Sequence, residues 1–160
     1  MISQFSGAVF DNSRAYRFLL WRFWDDRPRV LFIGLNPSTA NEISEDPTIR
    51  RCIGFAQKWC YGGIYFCNTL AYVSTDPKML TRVVAPHRAN FPAINMAHGL
   101  SVLTVCCWGD GIELAENGRS IAEHVKELVH PAMCFGLTQK GNPRHPLYLN
   151  GDSELEELPV

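Results

Sequence analysis

Short apolar runs alternate along the chain with longer segments whose apolar residues recur at roughly helical spacing. The runs predict buried strands, and the clearest of them cover residues 30–35, 64–67, 101–108 and 132–135. Helices are predicted from Pro47 and from Gly111 to about Val129. This alternation of strands and helices is typical of an α/β domain with a mainly parallel sheet.

The segments between these elements give weaker patterns. Residues 8–24 predict either a hairpin or a strand followed by a short helix, which would cover one edge of the sheet. A short helical stretch is predicted over residues 77–84, and Pro86 and Pro92 interrupt the chain after it. We expect the acidic tail, residues 151–160, to fray at the surface.

Composition limits the size and the partners of the protein. The chain has 160 residues, of which 46% are hydrophobic, enough for one packed domain that we place at residues 1–150. With 15 Lys+Arg against 16 Asp+Glu, the net charge is −1, so strong non-specific binding to duplex DNA is not expected. Apolar runs too short for a bilayer and an N-terminus without a signal-peptide pattern predict a soluble, cytoplasmic protein without membrane partners.

The cysteines and histidines give no sign of a metal site. Their spacing matches no metal-binding motif, so no metal or other cofactor is predicted. Cys67, Cys106, Cys107 and Cys134 lie inside apolar runs, where a free thiol behaves as a small hydrophobic group. The motifs of serine hydrolases, P-loop nucleotidases and dinucleotide-binding enzymes are also absent from the sequence.

Polar and glycine-rich segments follow the four predicted strands. In an open α/β sheet, ligands bind beyond the carboxyl ends of the strands, because loops and helix N-termini converge there. We therefore expect one pocket, lined by residues 34–38, 68–69, 108–111 and 138–145.

The first of these segments offers an amide and two hydroxyls. Asn36 precedes Pro37, which favours an extended backbone and a fixed position for the carboxamide. Ser38 or Thr39 is placed to cap a following turn and to direct backbone N–H groups at an anion. The alternative is that residues 36–39 form only a stable turn, in which these residue types are common.

The carboxylates do not show the spacing of a paired acid and base. Asp110 is a candidate base and Asp46 a candidate ligand contact, and a different hydrolase using either as its base is a third, weaker hypothesis. The alternative is that both are cap or turn residues, before Pro47 and beside Gly111.

Six segments of the chain, taken together, resemble a known family. They are LFIGLNPSTA, DPTIRRCIGFAQKW, YGG, NTLAYVSTDP, CCWGDG and GLTQKGNPRHPLYL, and they cover most of residues 29–149. The set is similar to a bacterial and phage family known as domain of unknown function 1643. More distantly, the Gly-Leu-Asn-Pro motif at 34–37, Asn68 and the His-Pro pair at 145–146 resemble the uracil-DNA glycosylase superfamily. That resemblance implies a three-layer α/β/α fold around a mainly parallel sheet of about four or five strands.

The resemblance to glycosylases also implies roles for single residues. Asn36 would orient the hydrolytic water, Asn68 would read the edge of the base, and His145 would lie beside the leaving base or a backbone phosphate. An aromatic ring would stack on the base, and the candidates, each of which also suits the core, are Tyr65, Phe66, Tyr72 and Trp108. The residues expected to contact the substrate are Gly34, Pro37, Ser38, Thr39, Asp46, Thr48, Asn68, Gly109, Asp110, Thr138 and Arg144.

The function implied is that of an N-glycosidase-like hydrolase acting on a nucleobase in nucleic acid or in a nucleotide. A neutral residue that holds water, together with donors to the base, suits a reaction that leaves negative charge on the base. Arg50, Arg51, Lys140 and Arg144 form either a modest phosphate-binding patch at the rim or ordinary surface charges. A patch of this size favours a nucleotide, or single-stranded or modified nucleic acid, as partner. The alternative function is a non-catalytic module that binds a nucleotide or a modified base.

Overall fold

The computed structural model describes residues 5–82 and 86–160, and a mixed sheet forms the centre of this part of the chain. Its seven strands are β1 (Phe5–Phe10), β2 (Arg17–Phe23), β3 (Arg29–Gly34), β4 (Gly63–Asn68), β5 (Leu103–Cys106), β6 (Met133–Cys134) and β7 (Glu156–Glu157). Their order across the sheet is β1-β2-β4-β3-β5-β6-β7.

In the described residues, three α-helices accompany the sheet: α1 (Pro47–Lys58), α2 (Asn90–Gly99) and α3 (Gly118–Leu128). Shorter 3-10 helices lie at Pro77–Arg82, Asp110–Leu114 and Pro146–Tyr148. Within residues 5–82 and 86–160, no helix is both long and apolar enough to cross a membrane.

The expected fold, around a mainly parallel sheet of about four or five strands, is wrong, because the sheet has seven strands and is mixed. The strand pairs β3–β4, β3–β5 and β5–β6 are parallel, but β1–β2, β2–β4 and β6–β7 are antiparallel. The antiparallel pairs arise at the two edges of the sheet. At one edge, β1 and β2 are joined by a short turn, which allows only antiparallel pairing, so the hairpin interpretation of residues 8–24 is confirmed. At the other edge, the chain end adds β7.

Successive side chains of β3 point to opposite faces of the sheet, so the core has one part on each face. Leu31 and Ile33 pack in a cluster with residues of α2 and α3, whereas Val30 and Phe32 pack in a second cluster with residues of α1. The core role predicted for four cysteines is confirmed, because all four are buried: Cys67, Cys106, Cys107 and Cys134.

The helix predicted from Gly111 to about Val129 is two separate helices. The chain leaves the 3-10 helix Asp110–Leu114 and adopts a left-handed conformation at Asn117, with φ of 58°, before α3 begins. Helix α2 was not predicted, because Pro92 suggested an interruption. Pro92 in fact lies in the first turn of α2, where a backbone N–H would have no intrahelical partner and a proline is therefore tolerated.

Two further segments differ from the expectations. The stretch expected over residues 77–84 is a 3-10 helix over Pro77–Arg82, and Val84 lies outside the described residues. The acidic tail does not fray, because Glu156 and Glu157 pair with β6 and Leu158 is buried. The Leu158 N–H also donates a hydrogen bond of 2.9 Å to the Ala132 carbonyl. The tail therefore completes one edge of the sheet.

Candidate active site

A pocket of about 210 Å³ lies at the carboxyl ends of β3 and β4. Its lining residues come from β2, from the ends of β3 and β4 and the segments that follow them, from the start of α1 and from the loop before Pro146. They are Arg17, Gly34, Leu35, Asn36, Ser38, Asp46, Thr48, Ile49, Phe66, Asn68, Ser74, Thr75 and His145. The structure thus brings together Asn36 and His145, which are far apart in sequence.

Gly34 keeps space open at this end of the sheet. The parallel pairing of β3 with β4 places Gly34 beside Asn68. A Cβ atom at Gly34 would lie 2.9 Å from Phe66 Cζ and 3.0 Å from Asn68 Oδ1, closer than side chains tolerate without rearrangement. The glycine therefore leaves room beside an aromatic ring and a carboxamide.

Asn36 is held by its amide nitrogen. Nδ2 donates to the carbonyls of Pro37 at 3.0 Å, Tyr72 at 3.3 Å and Ser74 at 2.9 Å. These bonds fix the orientation of the carboxamide and tie the segment after β3 to the segment after β4. Because Nδ2 is fully occupied, Oδ1 is the side-chain atom of Asn36 that remains available as an acceptor for a ligand or a water.

Asn68 is 1% exposed, and its Nδ2 has no hydrogen-bond partner among the described residues. Its backbone carbonyl accepts a bond of 2.9 Å from the Asn90 side chain, which holds the end of β4 in place. A buried donor without a partner costs about 1–3 kcal/mol, and a ligand acceptor would recover part of that cost.

Arg17, at the start of β2, is also 1% exposed. Its Nη1 donates to the Ala40 carbonyl at 2.9 Å, but its buried Nε has no partner among the described residues. Burial lowers the pKa of Arg17 to about 10, and the charge of Asp46 opposes this shift. The guanidinium is therefore still a cation at neutral pH.

Asp46 carries the negative charge of the pocket and is 6% exposed. Its Oδ1 accepts a bond of 2.9 Å from the Ile49 N–H, so it caps α1. The cap interpretation proposed for Asp46 is therefore confirmed. Its place in the pocket beside Thr48 also puts a carboxylate within the space open to a ligand.

His145 is set up as a neutral donor. Its Nδ1 accepts a bond of 3.2 Å from the Leu147 N–H, which leaves the proton of the neutral ring on Nε2. Burial lowers the pKa of His145, and the charge of Asp46 opposes this shift only in part. At neutral pH the ring is uncharged, and its Nε2–H is the donor that it offers.

Three of the predicted substrate contacts lie near the pocket but do not line it. Pro37 is buried and serves as an acceptor for Asn36, whereas Thr39 is exposed. Gly109 supports the His145 segment: its N–H donates to the Pro143 carbonyl, and a Cβ there would lie 3.2 Å from His145 Cβ.

Asp110 and Thr138 belong to a separate hydrogen-bonded cluster. Asp110 Oδ1 accepts bonds from Thr138 Oγ1 at 2.6 Å and from Asn142 Nδ2 at 2.9 Å. These two bonds lower the pKa of Asp110, with the hydroxyl as the larger cause, so the group is a poor proton acceptor. The structure thus places the candidate base Asp110 outside the pocket lining, in a cluster that orders the loop before His145.

The predicted basic patch is dispersed. Arg50 and Arg51 line a separate groove along α1 with Lys58 and Asp152, and Arg51 donates to the Leu149 carbonyl. Lys140 and Arg144 are exposed, and neither lines the pocket.

Sequence reasoning missed Arg17. Arg17 is the first residue of the sequence Arg-Phe-Leu-Leu-Trp-Arg-Phe. An arginine in such an apolar strand indicates a specific role, because charged side chains are rarely fully buried unless they are paired. Phe66 was considered only as one of four aromatic candidates, and its ring is the one that lines the pocket.

The pocket therefore combines a cation, a carboxylate, two carboxamides and a neutral imidazole. In the part of the chain that the structure describes, no group of three or more His, Cys, Asp or Glu side chains is placed to hold a metal ion. The chemistry that the residues themselves offer is hydrogen bonding and charge stabilisation around a small polar ligand.

Comparison with known proteins identifies the family. The model of a family described as "Protein of unknown function (DUF1643)" matches residues 17–147, so the chain belongs to that family. The matched segment begins at Arg17 and includes every residue that lines the pocket. No curated protein and no solved structure matches the chain.

Proposed function

We propose that this protein is an N-glycosidase-like hydrolase and that the pocket takes a nucleobase of a nucleotide or of single-stranded or modified nucleic acid. The observation that carries the proposal is the meeting of Asn36, Asn68 and His145 around one small pocket. The same three positions carry the resemblance to the uracil-DNA glycosylase superfamily, which we also offer as a proposal, together with a bacterial or phage origin.

The size and the lining of the pocket suit a single base. Its volume of about 210 Å³ is below the roughly 300 Å³ at which sites for drug-sized ligands begin. Phe66 offers a ring for stacking, and the buried Nδ2 of Asn68 offers a donor for a carbonyl at the edge of the base.

In the proposed reaction a water molecule adds to the anomeric carbon of the sugar. Asn36 Oδ1 accepts a hydrogen bond from the water and orients it. The bond between the sugar carbon and the base nitrogen breaks, and its electron pair leaves with the base. The proton lost by the water is finally taken up by the departing base, so the products are the free base and a sugar with a hydroxyl at that carbon. His145 donates through Nε2 to the base as negative charge develops.

The test is a panel of free nucleosides, nucleotides and single-stranded oligonucleotides with uracil or modified bases. Base release is measured by chromatography, and binding by calorimetry. Release of a base from at least one panel member is the expected result. Stoichiometric binding of a panel member without release would overturn the hydrolase and support the non-catalytic binding module.

Asp110→Asn is the matched control for this test. Asp110 lies in the cluster with Thr138 and Asn142, outside the pocket, so we expect this variant to keep the wild-type rate of release. Loss of release in a folded Asp110→Asn protein would contradict the proposed site and would favour a hydrolase that uses Asp110 as its base.

A further inference from the structure

Strand β2 carries two buried arginines with very different surroundings. Arg22 is 0% exposed and pairs with Glu45 through Nε at 3.0 Å. Its other nitrogens donate to backbone carbonyls, among them those of Trp21 at 2.8 Å and Ser44 at 3.1 Å. All three nitrogens of Arg22 are therefore bonded, and its role in holding the loop before α1 is structural.

Arg17 is as deeply buried as Arg22 but makes one side-chain hydrogen bond, from Nη1 to the Ala40 carbonyl. No ion pair of the described residues includes Arg17. The edge of a guanidinium formed by Nε and Nη2 is the one that binds a planar pair of acceptors, and Nε of Arg17 has no partner among the described residues. Arg17 thus brings to the pocket lining a guanidinium with a buried donor that has no partner among the described residues.

The other charged or titratable groups of the pocket are Asp46 and His145. The charge of Asp46 is partly engaged, because Oδ1 caps α1 and faces the positive end of the helix. His145 is neutral. The guanidinium of Arg17 is therefore the group in the pocket that is best suited to attract negative charge on a ligand.

We propose that Arg17 is the residue that binds the departing base as an anion, through a carbonyl oxygen on which the negative charge accumulates. This inference rests on the proposed function. When the bond between sugar and base breaks, the electron pair moves onto the base and its charge spreads to the exocyclic carbonyl oxygens. A fixed cation in a site shielded from water stabilises this charge more strongly than it stabilises the neutral base of the substrate.

Two ring compounds of nearly the same shape test this inference directly. Barbiturate is an anion at neutral pH, whereas uracil is neutral, so the ratio of their affinities measures the preference for negative charge. Calorimetry on the wild-type protein is expected to show that barbiturate binds at least about tenfold more tightly than uracil. Equal affinities in the wild type would overturn the proposal.

Variants then assign the preference to Arg17. In Arg17→Met the preference is expected to disappear, and in Arg17→Lys, which keeps a charge without the planar fork, it is expected to survive in part. Asp46→Asn keeps the cap of α1 but removes the opposing charge, so its preference for barbiturate is expected to increase. An unchanged ratio in folded Arg17→Met would overturn the proposal. If Arg17→Met does not fold, an unchanged ratio in Asp46→Asn would do the same.

Failure of this inference and failure of the proposed function are distinguishable. An anion preference that depends on Arg17, without base release from any panel member, would support the anion site and overturn the hydrolase. Base release without any preference for barbiturate would overturn the role of Arg17 and leave the hydrolase in place.

Discussion

The pocket at the carboxyl ends of β3 and β4 contrasts with a larger cavity at the opposite end of the sheet. That second cavity, of about 690 Å³, is lined by residues that precede or begin β5 and β6 and by residues of α2 and β7. It contains His98, whose Nδ1 lies 2.7 Å from Thr104 Oγ1 in a hydrogen bond. The smaller pocket has about 210 Å³, and two of its lining residues, Arg17 and Asn68, have buried donors without a partner among the described residues.

The comparison separates two criteria for a binding site, the volume of a cavity and the unpartnered polar atoms of its lining residues, because the two criteria favour different ends of the sheet. Among the described residues, no lining residue of the large cavity has a buried side-chain polar atom without a partner. Native proteins leave few such atoms, because each costs about 1–3 kcal/mol. A fold that keeps two of them in one pocket loses stability there, and ligand binding would explain that loss.

The largest effect is expected from filling the smaller pocket. Gly34→Ala places a methyl group against Phe66 and Asn68, so base binding and release should fall to background, and stability should decrease by about 1–3 kcal/mol. Gly99→Ala, in the helix beside the large cavity, meets no atom within 4 Å, so it should leave base binding and release unchanged and should not lower stability. Calorimetry and thermal denaturation measure the two variants, and wild-type binding by a folded Gly34→Ala protein would contradict the assignment of the pocket.

Removal of the proposed water-orienting group should have the next largest effect. Asn36→Ala loses the acceptor Oδ1 and leaves three carbonyls without their donor, so the rate of base release should fall about 100-fold. Thr104→Val, in the large cavity, should lower stability by about 1 kcal/mol without changing the rate. A wild-type rate in Asn36→Ala would remove the water-orienting role even if the enzyme class survived.

Replacing either of two buried asparagines by leucine is expected to change stability in opposite directions. Asn68→Leu removes an unpartnered donor, so base affinity should fall about tenfold while stability stays constant or rises by about 1 kcal/mol. Asn90→Leu removes an amide that donates to the carbonyls of Asn68 and Thr69, so it should destabilise the fold by about 1–3 kcal/mol. Urea denaturation measures both variants, and equal destabilisation by the two would show that Asn68 is an ordinary structural residue.

A smaller effect is expected from pH. Burial lowers the pKa of both His145 and His98, so the unfolded chain takes up protons at a higher pH than the folded protein does. Stability is then complete above the ordinary pKa of histidine and declines as the pH falls through that value toward the lowered one. Protonation of His145 at Nδ1 removes the acceptor of the Leu147 N–H and with it the bond that orients the ring, so base release should decline below the ordinary pKa.

Substitution of each histidine in turn shows which of the two controls the pH dependence of base release. His145→Gln should remove the acidic limb of the pH–rate profile and lower the plateau several-fold, because a fixed donor to the base is lost. His98→Gln should leave the profile as in the wild type. An acidic limb that persists in His145→Gln would assign the titration to another group.

The local pattern of residues was sufficient to predict two buried central strands and the start of one helix. The apolar runs at 30–35 and 64–67 predicted β3 and β4, because these strands are buried and have little choice of conformation. The start of α1 was predicted because a proline follows a capping aspartate. Helix α2 was missed, since the cost of Pro92 depends on its position within the helix, which the pattern alone does not fix.

The arrangement of the strands was not predictable from these local signals. Runs of apolar residues predict strands, but pairing direction depends on which edges remain free once the centre has formed. The hairpin β1–β2 and the tail strand β7 occupy those edges and make the sheet mixed. The same limit applies to the tail, whose composition suggested disorder and whose contacts with β6 exist only in the folded chain.

The sequence by itself determined where the central strands end and where α1 begins, because proline, glycine and asparagine restrict or terminate the backbone locally. Only the tertiary structure decided which of them share a pocket. Arg17 lines the pocket although its strand contains none of the predicted motifs. Asp110 instead accepts hydrogen bonds from Thr138 and Asn142 and does not line the pocket. The physical reason is that burial and hydrogen-bond partners are properties of the packed chain, and they determine whether a polar group is left available to a ligand.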